Sequence, residues 1–439
     1  MTQQSGSTVP TDSLAVRGGP VLSGTVRVDG SKNAALPLVA GAAVIDRPVT
    51  LVNLPASADV AILADLIRAA GNHITAQAGT LHVAPAPDQV RQPDRALAAR
   101  IRASYYLAPA LLAHGRAELP WPGGCAVGER GMELHFMVYE AFGDSVHTCE
   151  AGYQITAPRN QAHTQVEITL PFPSRGTTVV ALLRAVAARR PLVLRTPNTS
   201  PEVAGLVQAL NESGHHTVYQ PDGTLTFMPG VTQAARWQVP GDKIEAGTLL
   251  CALAITGGHG RILGVNPDHL TPLIELLSKV GFPVNPISNG VELGADVRLT
   301  GTPIDAIATR DSLARADWLD ADFEPPLMAL ALTLPGIHSF ADEINPGRHA
   351  NLLPQLRRLG AVIAEESATA CQVNGPQTLV GAHVEAADIR TGSTLLVAGL
   401  AAQGTTVVTR LSQVRRGHAD LLGKLRSLGA DIADEPVTE

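Results

Sequence analysis

Cysteine is scarce in this chain: four in 439 residues, Cys125, Cys149, Cys251 and Cys371, with no C-x-x-C pair among them. That spacing argues against a disulfide framework and a zinc site, so no metal is expected. No uninterrupted apolar stretch reaches the length of a membrane span. The opening MTQQSGSTVPTDS lacks the basic flank and apolar run of a signal peptide, so a cytoplasmic, reducing location is expected, with no membrane partner. Excess positive charge is also missing. At a formal net charge of −7 the surface is poorly suited to nucleic acid, although local basic pockets are compatible with it. Aromatic residues make up 3% of the chain and point to no function, while 45% hydrophobic and 17% charged residues describe an ordinary globular protein. This length suits two or three domains.

What is present is a repeat. The segments LADLIRAAGNHI, MVYEAFGDSV, LVQALNESGHHT, LIELLSKVGFPV, LPQLRRLGAVI and LGKLRSLGADI each carry apolar residues at helical spacing. Each then reaches a glycine, at 71, 143, 214, 281, 360 and 429, where a helix C-terminus calls for positive φ. Successive glycines lie 72, 71, 67, 79 and 69 residues apart. A second, almost wholly apolar helix precedes each of these, for example NAALPLVAGAAV and TGSTLLVAGLAAQG, which predicts burial on all sides. Strand-like runs such as RPVTLVNL follow these helices. In the first five copies another strand-like run, such as TLHVAP, closes the unit.

Cys125 stands in LPWPGGCAVGERGMELH, between Gly-Gly and Arg130. A thiol on a glycine-rich loop near fixed positive charge is a candidate for acid-base or covalent chemistry; a surface turn that carries a cysteine is the other reading of the same residues.

Six such units, with the motifs GSKNAALPL, PGGCAVGER followed by MELH, and RRGHADLLGKLRSLGADI, resemble the enolpyruvyl transferase family over nearly the whole chain. Within that family the motifs are more similar to the branch acting on UDP-N-acetylglucosamine than to the shikimate-pathway branch. The resemblance implies an α/β fold of two inverted α/β barrels built from six βαβαββ units, three per domain. Domain one would span residues 32–240, with a catalytic loop at 119–135. Domain two would combine residues 12–31 and 241–439, with the active site in the cleft between them. The implied reaction moves the enolpyruvyl group of phosphoenolpyruvate onto a hydroxyl of a uridine nucleotide and releases phosphate. No cofactor is implied, and the protein is expected to be a monomer or weak homo-oligomer.

By the same resemblance, Lys32 contacts the donor phosphate and Asn33 holds the acceptor hydroxyl. Cys125 delivers a proton to the donor's methylene carbon and is the residue alkylated by fosfomycin. Arg102, Arg130, Arg390 and Arg416 serve the donor's phosphate and carboxylate. Asp322 in LDADFEPPL takes the proton from the acceptor, with Asp320 a competing choice and N-capping the alternative role for a carboxylate there. Arg130, Glu133, Leu134, His135, Ser174, Gly176, Ile344 and Arg348 fall at nucleotide-facing positions. Asp242 and Glu245 match an interdomain position, or simply cap a helix and occupy its first turn.

Departures from the family pattern gather on the acceptor side. Gly131-Met132 replaces Pro-Val or Pro-Leu, Glu133 an aspartate, Phe172 a lysine common among relatives, Asp320-Ala321 a Pro-Thr pair, and Arg415 an aspartate. The stretch 342–349, which should contact the sugar, differs as well, and NTSPE replaces a glutamate-rich segment. Two acceptors therefore stay open: UDP-N-acetylglucosamine, or the 3′-hydroxyl of UMP as in nucleoside-antibiotic synthesis. For UMP, Arg348 or Arg415 would neutralise the terminal phosphate. A non-catalytic, ligand-sensing relative is the reading from a different class. Two electrostatic expectations follow. The extra charge of Asp320 should raise the pKa of whichever carboxylate is buried. Bringing cations from both halves together should cost energy.

Overall fold

The computed structural model describes residues 12–86, 90–124, 131–159, 164–314 and 318–434. Cys125 and Arg130 lie outside the described residues. Six small sheets surround two separate hydrophobic cores. One core gathers apolar side chains between Ala34 and Val239. The other joins those between Leu14 and Val28 to those between Ile244 and Ile432.

The apolar helices lie inside and the sheets outside, which inverts the usual barrel order. In the second core Lys243–Ile255, Glu324–Ala331 and Ile389–Ala401 pack on one another. In the first, Lys32–Ala42 and Arg175–Ala188 meet a third segment that is not one continuous α-helix. IRASYYLAP forms a 3-10 turn over Arg102–Leu107 before the α-helix Ala108–Leu112 begins. Pro109 cannot donate to the carbonyl of Tyr105, which the amide of Ala108 takes instead, so the turn tightens.

Each repeat's second helix ends as its sequence predicts. Gly71, Gly143, Gly214, Gly281, Gly360 and Gly429 all have positive φ, between 85° and 113°. Five of the six sheets share one order: an edge strand parallel to the central strand, then two antiparallel strands. The last repeat lacks its own closing strand, and residues from the start of the chain supply it. Ser13–Arg17 inserts antiparallel between Thr405–Thr409 and Asp431–Asp434.

The chain passes between the cores at two adjacent places. Gly30 and Gly241 form an isolated bridge there. The amide of Ser31 donates to the carbonyl of Pro240 (2.7 Å), and that of Asp242 to the carbonyl of Asp29 (2.9 Å). The first crossing lies immediately before the helix Lys32–Ala42, whose first residues line the space between the cores, and the second immediately before Lys243–Ile255, whose first turn lies behind that space. Among the described residues no helix is long and apolar enough to cross a membrane.

The helix-ending glycines differ in what surrounds them. A Cβ at Gly429 would meet nothing within 4 Å, whereas one at Gly281 would sit 2.0 Å from the carbonyl oxygen of Arg298. Gly429→Ala should therefore cost only the left-handed penalty, about 1–2 kcal/mol. Gly281→Ala should cost more than about 4 kcal/mol in chemical denaturation; equal losses would contradict this reading of the repeat.

Candidate active site

Between the cores lies a cleft of about 690 Å³. Lys32, Asn33, Arg102, Glu133, Leu134, His135, Ser174, Gly176, Asp322, Ile344, Arg348, Arg390 and Arg416 all line it. They come from sequence segments up to nearly four hundred residues apart. Arg415, Asp242 and Glu245 are not among its lining residues. Gly124, the last described residue before Cys125, also lines it.

Two carboxylates organise the cations. Asp59 receives Lys32 at 3.6 Å and Arg416 at 3.2 Å, joining one core to the other. Asp322 receives Arg348 at 2.7 Å on one oxygen and Arg390 at 2.9 Å on the other. Asn33 donates to that second oxygen at 3.4 Å. Burial alone would raise the Asp322 pKa, but Arg390 and Arg348 outweigh it and hold the carboxyl well below its ordinary range. The cost expected from gathering cations is thus offset by carboxylates placed among them.

Asp320, which also lines the cleft, holds different partners from Asp322. One of its oxygens takes Arg175 (2.6 Å) and Lys243 (2.9 Å). The other caps the turn by accepting from the amide of Asp322 (3.1 Å). The capping role therefore falls to Asp320, which leaves the Asp322 side chain for the cleft. Burial raises the Asp320 pKa, yet Lys243 and Arg175 drive it below the ordinary value. The expected upward shift of a carboxylate beside Asp320 is thus overturned, because each aspartate has its own pair of cations. Glu202, in the segment that departs from the family pattern, completes the cluster with Lys243 at 3.3 Å and Arg175 at 3.7 Å.

Arg348, one of the two cations expected for a ligand's terminal phosphate, lines the cleft but is held by carboxylates in this structure. Its guanidinium is buried and spent on Asp322, on Asp342 at 2.8 Å and on the carbonyl of Ala321 at 2.6 Å. Within 342–349, Asp342 and His349 turn away from the cleft. Asp342 accepts from the amides of Ile344 and Asn345, and His349 pairs with Glu324 at 2.8 Å.

On the opposite wall, Ser174 caps the helix Arg175–Ala188 by accepting from the amide of Thr177. Gly176 is required by close approach, since a Cβ there would lie 2.5 Å from the Tyr105 hydroxyl and 3.1 Å from Nε2 of His135. His135 packs against Tyr105 with ring centroids 4.6 Å apart and planes tilted by 59°. Neither of its ring nitrogens has a partner among the described residues. Burial, with help from Arg102, lowers its pKa to about 3, so it is a neutral imidazole that lines the cleft. Sequence reasoning missed Asp59, Arg175, Arg310 and Trp318, all of which line the same space. Only Asp59 left a local signal, as a carboxylate in the first turn of an amphipathic helix. Among the described residues no group of three or more His, Cys, Asp or Glu is arranged to hold a metal ion.

Behind the site, Asp242 caps its helix through the amides of Ile244 and Glu245. Glu245 accepts from the amide of Asp29 and pairs with Lys424 at 2.7 Å. His418 stands between this cluster and the cleft. Its Nε2 accepts from Arg390 at 3.1 Å, and its Nδ1 is 4.0 Å from Glu245.

A buried helical interior, two cores and a polybasic cleft between them define a two-domain enolpyruvyl-transferase-type enzyme. The family model for EPSP synthase (3-phosphoshikimate 1-carboxyvinyltransferase) matches residues 16–425, and the chain belongs to this family of carboxyvinyl transferases. It is 33% identical over 433 residues to the UDP-N-acetylglucosamine 1-carboxyvinyltransferase of Thermotoga maritima, covering 95% of this chain and 98% of the relative. It is also 33% identical to the protein of that name from Chloroherpeton thalassium, covering 98% of each. Among solved structures, the enolpyruvyl transferase NikO from Streptomyces tendae superposes with a TM-score of 0.81 at 26% identity, covering 96% of this chain and 98% of that one. EPSP synthase from Acinetobacter baumannii shares the fold at 17% identity, with a TM-score of 0.76 and coverage of 96% and 99%.

The Glu245 cluster predicts a pH dependence. Burial raises its pKa from an ordinary 4.5 to about 7, against the pull of Lys424. The folded state therefore holds a proton that the unfolded chain releases, so this contribution is full below about pH 4.5 and is lost as pH rises through about 7. Measured against Glu245→Gln, the wild type should lose stability of the order of 3 kcal/mol between about pH 5 and pH 8. Parallel pH curves for the two proteins would refute the shift.

Proposed function

We propose that this enzyme transfers the enolpyruvyl group from phosphoenolpyruvate to a hydroxyl of a uridine nucleotide, with release of phosphate, in the cytoplasm and as a monomer or weak homo-oligomer. On this reading the two cores are the domains 32–240 and 12–31 plus 241–439. The observation that carries it is the shared oxygen of Asp322, which meets both Asn33 and Arg390. If Asn33 orients the acceptor hydroxyl and Arg390 the donor carboxylate, one carboxylate oxygen lies where the two reactants meet.

The steps follow from that placement. Asp322 takes the hydroxyl proton as the acceptor oxygen attacks C2 of the donor. The donor's methylene carbon gains a proton from Cys125, giving a tetrahedral adduct. Loss of that carbon's proton then expels phosphate and restores the double bond on the transferred group. Lys32, Arg102, Arg130, Arg390 and Arg416 supply the cations for a phosphate and a carboxylate. Asp322 is a weak base while two arginines hold it. As the donor's anions draw Arg390 toward themselves, the attraction that depresses Asp322 weakens and its basicity rises. Asp59 plays the matching part for Lys32 and Arg416. The relatives named for UDP-N-acetylglucosamine support that acceptor. Asp320 and Phe172, at positions where relatives differ, support UMP as the second nucleotide to test.

Phosphate release with phosphoenolpyruvate and either UDP-N-acetylglucosamine or UMP tests the reading. The wild type should release phosphate with one of them, and Asp322→Asn should lower kcat by about 10²–10⁴-fold. Asp320→Asn, which removes a counter-ion but leaves Asp322 in place, should lose stability and keep most of the turnover. No release with either nucleotide, or equal losses for the two variants, would refute the assignment.

A further inference from the structure

We infer that Arg310, stacked on Phe172, is the cation that recognises the phosphate of the nucleotide acceptor in this chain. The inference rests on the uridine-nucleotide reading above and adds a specificity-determining residue to it. Phe172 stands where many relatives carry lysine, so the acceptor side would lack a cation at that place. Arg310 approaches it from the other core. It follows the strand Asp305–Ala308 and lies with its guanidinium carbon 5.2 Å from the Phe172 ring centroid. Both residues line the cleft.

Three features make this arrangement suit an anion. First, the backbone at Arg310 is fixed. Thr309 and Ser312 cap each other, with Thr309 N to Ser312 Oγ at 3.0 Å and Ser312 N to Thr309 Oγ1 at 3.1 Å. The amide of Arg310 donates to Glu343 at 3.2 Å. Second, the Arg310 guanidinium has no carboxylate partner among the described residues, whereas Arg175, Arg348 and Arg390 on the same cleft are all paired. Third, stacking on an aromatic face leaves the guanidinium edge open. Its coplanar N–H groups can then take two phosphate oxygens at once, which a lysine cannot do. With Arg348 committed to Asp322 and Asp342, and Arg415 outside the cleft lining, Arg310 is the residue placed for this work.

Equilibrium binding of uridine, UMP and UDP to the full-length protein, by calorimetry, tests the inference. In the wild type, UMP and UDP should bind more tightly than uridine. Arg310→Ala should weaken UMP and UDP by about 10- to 100-fold, the loss of hydrogen bonds to a charged group. Uridine should bind as before, so the preference for phosphate collapses. Because Arg310 is exposed, the variant should keep its fold, with an unchanged melting curve. Adding Phe172→Lys to Arg310→Ala, which returns a cation to the same place, should restore part of the preference. If Arg310→Ala binds UMP and UDP as the wild type does, the inference fails while the proposed function stands. If the wild type binds neither UMP nor UDP, the inference fails, and the proposed function fails with it only where phosphate release with UDP-N-acetylglucosamine and with UMP is absent as well.

Discussion

The cleft depends on alternation of charge. Lys32, Arg102, Arg348, Arg390 and Arg416 converge from two cores onto one space, and like charges about 4 Å apart repel by about 4 kcal/mol at the effective dielectric of a protein surface. Asp59 and Asp322 lie among them and convert that repulsion into attraction across the gap. The Arg175–Asp320–Lys243–Glu202 cluster repeats the device on the adjoining wall. The carboxylates that let these cations share a cleft are also the ones that a bound anion would replace. On the proposed function, structure and chemistry use the same pairs.

Much of the fold was legible because it is periodic. The spacing of the helix-ending glycines and the apolar first helices are local properties, and the positive φ at all six glycines follows from them. The strand order at the ends of the chain was not legible. Ser13–Arg17 pairs with Thr405–Thr409, and no local pattern announces a partner so remote in sequence. The 3-10 geometry of Arg102–Leu107 was written in Pro109, whose effect a helical pattern conceals.

The site was legible where a single residue carries the signal and illegible where a pair does. Lys32, Asn33, Asp322, Arg390 and Arg416 stand in recognisable motifs and line one cleft. The counter-ions of Asp320, Arg175 and Lys243, were illegible because they lie far away in sequence. Arg348 looked available because its partner Asp342 reads as part of a sugar-contacting stretch. The departures at Asp320 and Phe172 each meet an arginine in space, Arg175 and Arg310 respectively.

The central claim is that a nucleotide hydroxyl adds to the donor and that a proton enters and leaves its methylene carbon. Proton NMR of the nucleotide recovered after incubation with phosphoenolpyruvate in deuterium oxide tests it directly. The account predicts a nucleotide bearing a carboxyvinyl ether whose vinyl positions have acquired solvent deuterium. Recovery of the nucleotide unchanged, or a vinyl group free of deuterium, would contradict it.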